Sequence, residues 1–188
     1  MAYVELQNDL PGILGPLSFR PKMGQPLNEL TEVLLRSDNS LSRGERELIA
    51  AFVSSLNDCF FCQQAHGNVA QYYLECDPAF IEAVNKDFIS SGVSDKMKVL
   101  LWIAASVQKG GKYVTQDQVD TAKGLGVTDE EIHDTILIAA AFCMFNRYVD
   151  GLATWAPKDK NFYVDAAKHI AECGYTNYDT GISSIDNG

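Results

Sequence analysis

Cys59, Cys62 and His66 stand in one short run, Asp58-Cys-Phe-Phe-Cys-Gln-Gln-Ala-His66. On a helix, positions i, i+3 and i+7 share a face, so both sulfurs and the imidazole project the same way. Such a trio suits thiol redox chemistry. A thiolate attacks a peroxide O–O bond or a disulfide, and the neighbouring thiol closes a disulfide that protects the oxidised sulfur. Either cysteine is a candidate nucleophile at this level. If Asn57 or Asp58 caps a helix beginning at Cys59, that sulfur lies in the first turn, where free amides and the helix dipole stabilise a thiolate, while the Asp58 carboxylate opposes the effect. Cys62, in turn, is at i to i+4 from His66, the spacing of a thiol–imidazole hydrogen bond. Glu47 belongs to the preceding helix. A break at Asn57-Asp58 lets the two helices fold together so that the carboxylate orients the imidazole, and the imidazole takes the thiol proton.

Bland readings of the same residues compete. A Cys-x-x-Cys with a nearby histidine is most of a zinc site, but a closed structural site needs a fourth ligand. His133, His169, Cys76, Cys143 and Cys173 are isolated and lack ligand spacing, so no metal is expected. Two core cysteines could also fall at i and i+3 by chance. The chain has 5 cysteines in all. That odd count argues against a disulfide framework, and Cys76, Cys143 and Cys173 read as small buried hydrophobes.

Composition narrows the classes of function. The chain has 188 residues, 46% apolar and 21% charged, as in an ordinary globular protein, and one domain over 1–188 is the natural expectation. Lys and Arg total 15 against 25 Asp and Glu, a formal net charge of −10. Such a surface repels phosphate backbones and anionic headgroups, which argues against nucleic acid and membrane partners. The longest apolar stretches, Ile136 to Phe145 and Val99 to Val107, fall short of the roughly 20 residues that cross a bilayer. The first residues lack the pattern of a signal peptide, so the cytoplasm is the expected compartment. No Gly-rich phosphate loop is present, and no nucleotide, flavin or other cofactor is implied.

The elements that must position these residues are helical. Residues 1–26 carry Pro11, Pro16, Pro21 and Pro26 and are expected to be an extended lead. A helix is predicted from about Leu27 to Arg36, with Asn28 able to cap it. Ser42 and Glu45 have capping-box spacing, as do Thr128 and Glu131. Asp77-Pro78, Ser94 and Thr115 mark further helix starts, and a last helix is predicted over Lys160 to Glu172. Residues 174–188 read as a polar tail. Strand signals are almost absent, so the class is all-α. LSRGERELIAAFVSSL, VSDKMKVLLWIAASVQ and VTDEEIHDTILIAAAF look alike, a faint sign of repeated helical hairpins.

The pattern Glu47-x11-Cys59-x2-Cys62-x3-His66, within LSRGERELIAAFVSSLNDCFFCQQAHG, resembles the signature of the AhpD-like, carboxymuconolactone decarboxylase superfamily. The stretch IAAAFCMFNRYVDGLA is similar to the Phe-Asn-Arg-x-x-Asp-Gly segment of its peroxidase-related subgroup. The resemblance implies an AhpD-like helical fold, assembly into homo-oligomers (dimers, trimers or hexamers), and a thiol–disulfide cycle that reduces organic hydroperoxides. It also implies that Cys62 attacks, that Cys59 resolves, and that Glu47 and His66 relay the proton. A disulfide-exchanging electron donor would complete the cycle. The best-studied branch carries a second histidine just before the attacking cysteine, where this chain has Phe61. Lactone decarboxylases of the superfamily lack the cysteine pair, so decarboxylation is not expected. Asn146, Arg147 and Asp150 could line the site, but an Arg147–Asp150 ion pair that pins a helix is the favoured reading. The alternatives are a disulfide reductase or redox relay without peroxide turnover, and a noncatalytic helical oligomer that senses redox state or binds zinc.

Overall fold

The computed structural model describes residues 2–176, and no strand occurs among them. Helix starts follow the capping chemistry. The Glu45 amide donates to the Ser42 hydroxyl at 3.2 Å, and the Glu45 carboxylate accepts from the Ser42 amide at 2.8 Å, which opens α3 (Arg43–Leu56). Thr128 with Glu131 opens α8 (Asp129–Gly151) in the same way, and Thr115 with Gln118 opens α7 (Gln116–Gly124). Ser94 caps α6 (Asp95–Lys109), Asp77 caps α5 (Pro78–Lys86), and Asp159 caps α9 (Lys160–Cys173). A single 3-10 turn, Gly111–Tyr113, follows α6.

The proline-rich lead departs from the expectation. Within it, α1 spans Leu14–Phe19 and α2 spans Pro21–Arg36, so helix replaces extended chain from residue 14 onward. The reason is where the prolines fall. Pro16 lies in the first turn of α1 and Pro21 is at the first position of α2, where the missing amide would have had no partner anyway. Pro26 lies inside α2 on its exposed side, so Asn28 is a mid-helix residue and not a cap. Only residues before α1 run as a nonhelical lead. Their amides at Tyr3 and Gly12 donate to the carbonyls of Leu152 and Trp155 at 2.9 and 2.8 Å. Residues 177–188 of the polar tail lie outside the described residues.

The helix α3 is buried on nearly every side: Leu48, Ile49, Ala50, Ala51, Phe52 and Val53 all have 2% exposure or less. A helix apolar all round belongs in the middle of a bundle. It packs chiefly on α4 (Phe60–Leu74), and also on α8, α6 and α5, while α9 closes over the far side of α4. The three look-alike segments become α3, α6 and α8, which pack against one another. No helix among the described residues is long and apolar enough to cross a membrane.

Because α3 carries the core, its start should be sensitive. Ser42→Ala is expected to lower the unfolding free energy by about 1 kcal/mol. Urea unfolding would register this as a lower midpoint with an unchanged slope. An unchanged midpoint would show that the capping box does not hold the helix start.

Candidate active site

The turn between α3 and α4 sets the site. Asp58 adopts a left-handed backbone (φ 57°), a conformation that aspartate tolerates better than most residues. Its amide and that of Cys59 donate back to the Ser55 and Ser54 carbonyls, both at 3.0 Å. The reversal uses up Asn57 and Asp58, so neither caps α4. Cys59 itself is the N-cap, and Cys62 is the residue inside the first helical turn. The helix-start stabilisation expected for Cys59 therefore belongs to Cys62.

The structure brings Glu47, Cys59, Cys62 and His66 together. Glu47 is fully buried in α3, and its Oε2 lies 2.7 Å from His66 Nδ1. With the proton on Nδ1, the imidazole donates to the carboxylate. The His66 ring meets the edge of Phe142 from α8 at a centroid distance of 4.5 Å. Cys59 and Cys62 are 0% and 3% exposed and pack with Phe61, Val149 and Tyr163. The Cys59 thiol donates to Cys62, which raises Cys59 above the ordinary thiol range, a shift that burial reinforces. The same donation lowers Cys62. Burial opposes that shift, and the charge of His66 and the Asn146 side-chain amide reinforce it. Cys62 is the sulfur that holds negative charge most readily here. His66 acts on it electrostatically rather than through the thiol–imidazole hydrogen bond that the i+4 spacing suggested.

The second segment has a larger part in the geometry than expected. The Arg147–Asp150 ion pair does not form. The Arg147 guanidinium donates instead to the Cys143 carbonyl at 2.8 Å, within its own helix. Asp150, one turn beyond Asn146, places its carboxyl beside the Cys59 thiol, whose single proton is already directed at Cys62. Burial, with the nearby charge of Asp58, holds that carboxyl above the usual carboxylate range. Asn146 is fully buried and donates to the Ser54 hydroxyl at 3.0 Å, while its carbonyl oxygen accepts from Asn57 at 2.8 Å. This amide network fixes the back wall of the dithiol.

Beside His66 lies a cavity of about 550 Å³, bounded by Leu14, Leu17, Phe61, Phe162, Tyr163 and Tyr175, among others. The cysteines stand behind Phe61 and Tyr163. The Phe61 ring in turn lies under Gly12, where a Cβ would sit 2.3 Å from the ring, and Gly12 has φ +54°. Only glycine allows that contact. Tyr163 donates to the Pro157 carbonyl at 2.9 Å, and its hydroxyl is pushed up to about 12 by burial and the neighbouring sulfurs. Of the two phenylalanines, Phe61 is buried and Phe60 is 50% exposed. Cys76 and Cys143 are half-buried and Cys173 is exposed at the end of α9, so none of the three is the fully buried hydrophobe expected. Among the described residues, no group of three or more His, Cys, Asp or Glu side chains is placed to hold a metal ion.

Sequence reasoning passed over Tyr175. Its hydroxyl donates to Glu47 Oε1 at 2.6 Å and lies 3.2 Å from His66 Nδ1, and its ring stacks on the imidazole. It falls in the segment read as a polar tail, and no local pattern ties it to residues so far away in the chain.

The model of the carboxymuconolactone decarboxylase family matches residues 21–72 and 76–156. No match is found among curated proteins. Among solved structures, the chain is similar to an uncharacterized peroxidase-related protein from Ralstonia eutropha JMP134, described as an alkylhydroperoxidase AhpD core. Identity is 23% and the TM-score 0.75, with 85% of this chain and 82% of that one covered. An uncharacterized peroxidase-related protein from Silicibacter sp. TM1040 is 25% identical with a TM-score of 0.74, covering 82% of this chain and 78% of that one. The fold is thus the AhpD-like helical one, and the chain belongs to the carboxymuconolactone decarboxylase family.

Proposed function

We propose that the protein is a thiol-dependent peroxidase that reduces organic hydroperoxides through a Cys59–Cys62 dithiol–disulfide cycle. The observation that carries this reading is the asymmetry of the pair, in which Cys59 donates to Cys62 and His66, backed by Glu47 at 2.7 Å, faces the sulfur so stabilised. The peroxidase-related description of the two similar solved structures supports the same direction.

In the first step the Cys62 thiolate attacks the terminal oxygen of R–O–OH. The O–O bond breaks, an S–O bond forms, and Cys62 becomes a sulfenic acid. The departing alkoxide takes the proton that His66 received from Cys62 and leaves as an alcohol, while Glu47 stabilises the transient imidazolium. In the second step Cys59 gives its proton to Asp150 and attacks the Cys62 sulfur. The S–S bond forms, the S–O bond breaks, and the departing hydroxide takes back the proton held by Asp150 and leaves as water. The peroxide gains two electrons and the dithiol loses two. A dithiol donor then returns both cysteines to thiols by disulfide exchange. Phe61, standing where a second histidine would add a proton-transfer group, favours a second reading, a redox relay that exchanges disulfides without turning over peroxide.

Two sets of variants test the scheme. Cys62→Ser is expected to abolish peroxide consumption, whereas Cys59→Ser still consumes one equivalent and leaves a sulfenic acid that dimedone traps on Cys62. Equal activity in both would rule out the assigned roles, and disulfide exchange without peroxide consumption in the intact protein would favour the relay. Asp150→Asn should slow disulfide closure about 100-fold and leave the first oxidation unchanged, as expected for loss of one general base. Closure at the normal rate would remove Asp150 from the second step. Cys59→Ala removes the largest influence lowering Cys62, so the pH at which the Cys62 thiolate forms, followed by its ultraviolet absorbance, should rise. A midpoint that stays put or falls would contradict the asymmetry.

A further inference from the structure

The Glu47 carboxylate has two oxygens and no contact with water, and His66 satisfies one of them. The other accepts from the Tyr175 hydroxyl at 2.6 Å. A buried carboxylate left with a single donor keeps its charge less readily, because hydrogen bonds to the charged form are what offset its desolvation. The same tyrosine ring stacks on His66 at a centroid distance of 5.9 Å and 24° between planes, and the Phe142 ring meets that imidazole in a T-shaped contact at 4.5 Å, so two aromatic rings hold it.

The placement of Tyr175 is built and not incidental. Its backbone amide donates to Glu32 Oε2 at 2.7 Å, and Glu32 Oε1 pairs with Arg36 at 3.0 Å. Arg36 also donates to the carbonyls of Ile170 and Ala171 at 2.8 and 3.1 Å, so the end of α9 is tied to α2 just before the tyrosine. Gly174 makes the approach possible. It has φ +84°, and a Cβ there would sit 2.6 Å from Glu32 Oε2. Burial and the charge of Glu47 keep the Tyr175 hydroxyl protonated, so it stays a donor throughout the working range of a thiol.

We propose that Tyr175 is the positioning residue of the Glu47–His66 pair, holding the carboxylate and the imidazole in place so that Cys62 can give up its proton. His66 from α4 and Tyr175 after α9 bond the carboxylate directly, and Arg46 on α3 acts on it through charge; Tyr73 from α4 and Arg36 from α2 act on Tyr175; Cys59, His66 and Asp150 from α8 act on Cys62, which in turn acts on Tyr163 from α9. From α8 comes the Phe142 ring. Tyr175 also lines the cavity beside His66, so it separates Glu47 from whatever enters there.

This inference rests on the relay role proposed for Glu47 and His66, and its test uses no peroxide. The reduced full-length protein is titrated with pH while the Cys62 thiolate absorbance is followed in a Cys59→Ser background, with far-UV circular dichroism as the folding control. Tyr175→Phe keeps the stacked ring and loses only the hydroxyl. Its midpoint is expected to rise by about one pH unit, the size of a lost hydrogen bond to a buried charge. Tyr73→Phe, which removes a hydroxyl that also helps tie α4 to the end of α9, should leave the midpoint where it was. Equal shifts in both variants would mean that the effect is general loosening, and no shift in Tyr175→Phe would overturn the proposal. His66→Gln and Glu47→Gln separate the two levels. If both raise the midpoint and Tyr175→Phe does not, Tyr175 alone is ruled out; if neither does, the relay itself fails and the proposal with it.

Discussion

The hydrogen bond between Glu47 and His66, formed inside a packed apolar helix layer, imposes the condition that the neighbouring elements must meet. An ionised carboxylate taken from water into a core is costly by several kcal/mol unless it is paired and fully hydrogen-bonded. Removing one partner from such a pair typically costs about 3–5 kcal/mol. The helical hairpin of α3 and α4 brings one partner, and the end of the chain after α9 brings the other. Glu47 sits one turn into α3, just before the buried apolar run Leu48 to Val53, so any shift of α3 against α4 would strand a buried carboxylate. The register of that hairpin is therefore held by an electrostatic condition as well as by packing.

The same register decides which sulfur holds negative charge more readily. The left-handed Asp58 turns the chain two residues before α4, and this leaves Cys59 as the N-cap and Cys62 in the first turn. Donation from Cys59, the buried Asn146 amide and the facing imidazole all favour charge on Cys62. Behind it the Ser54–Asn146–Asn57 network links α3, its closing turn and α8, so the wall of the site is a hydrogen-bonded unit and not a loose apolar face. In front stand Phe61 and Tyr163, with the cavity beyond them. A thiol pair this well covered is shielded from bulk solvent, and reagents must pass the aromatic wall to reach it.

Much of this could be read from the sequence wherever the physics is local. Capping residues and their partners three positions on, such as Ser42 with Glu45 and Thr128 with Glu131, give helix starts because they satisfy nearby amides. The spacing of Cys59, Cys62 and His66, with a break at Asn57-Asp58, allowed Glu47 to fold back to the imidazole, but the family resemblance was needed to single that glutamate out. Local rules misled where a residue type has two meanings. Prolines in the first turns of α1 and α2 initiate helix, yet the same prolines read as extended chain. Arg147 and Asp150 have ion-pair spacing, yet the Asp150 carboxyl lies beside Cys59, the N-cap of α4. Tyr175 was invisible because its partners come from α2, α3 and α4, and only the packing of α9 brings it to them.

The central claim is that the buried pair performs a two-electron reduction of a peroxide, with Cys62 attacking and Cys59 resolving. Its most direct test is to mix the reduced protein with one equivalent of an alkyl hydroperoxide, map the thiols by peptide mass and quantify the alcohol released. One alcohol is expected for each Cys59–Cys62 disulfide, formed rapidly and before Cys76, Cys143 or Cys173 changes. Intact cysteines, or slow oxidation spread over all of them without matching alcohol, would contradict it.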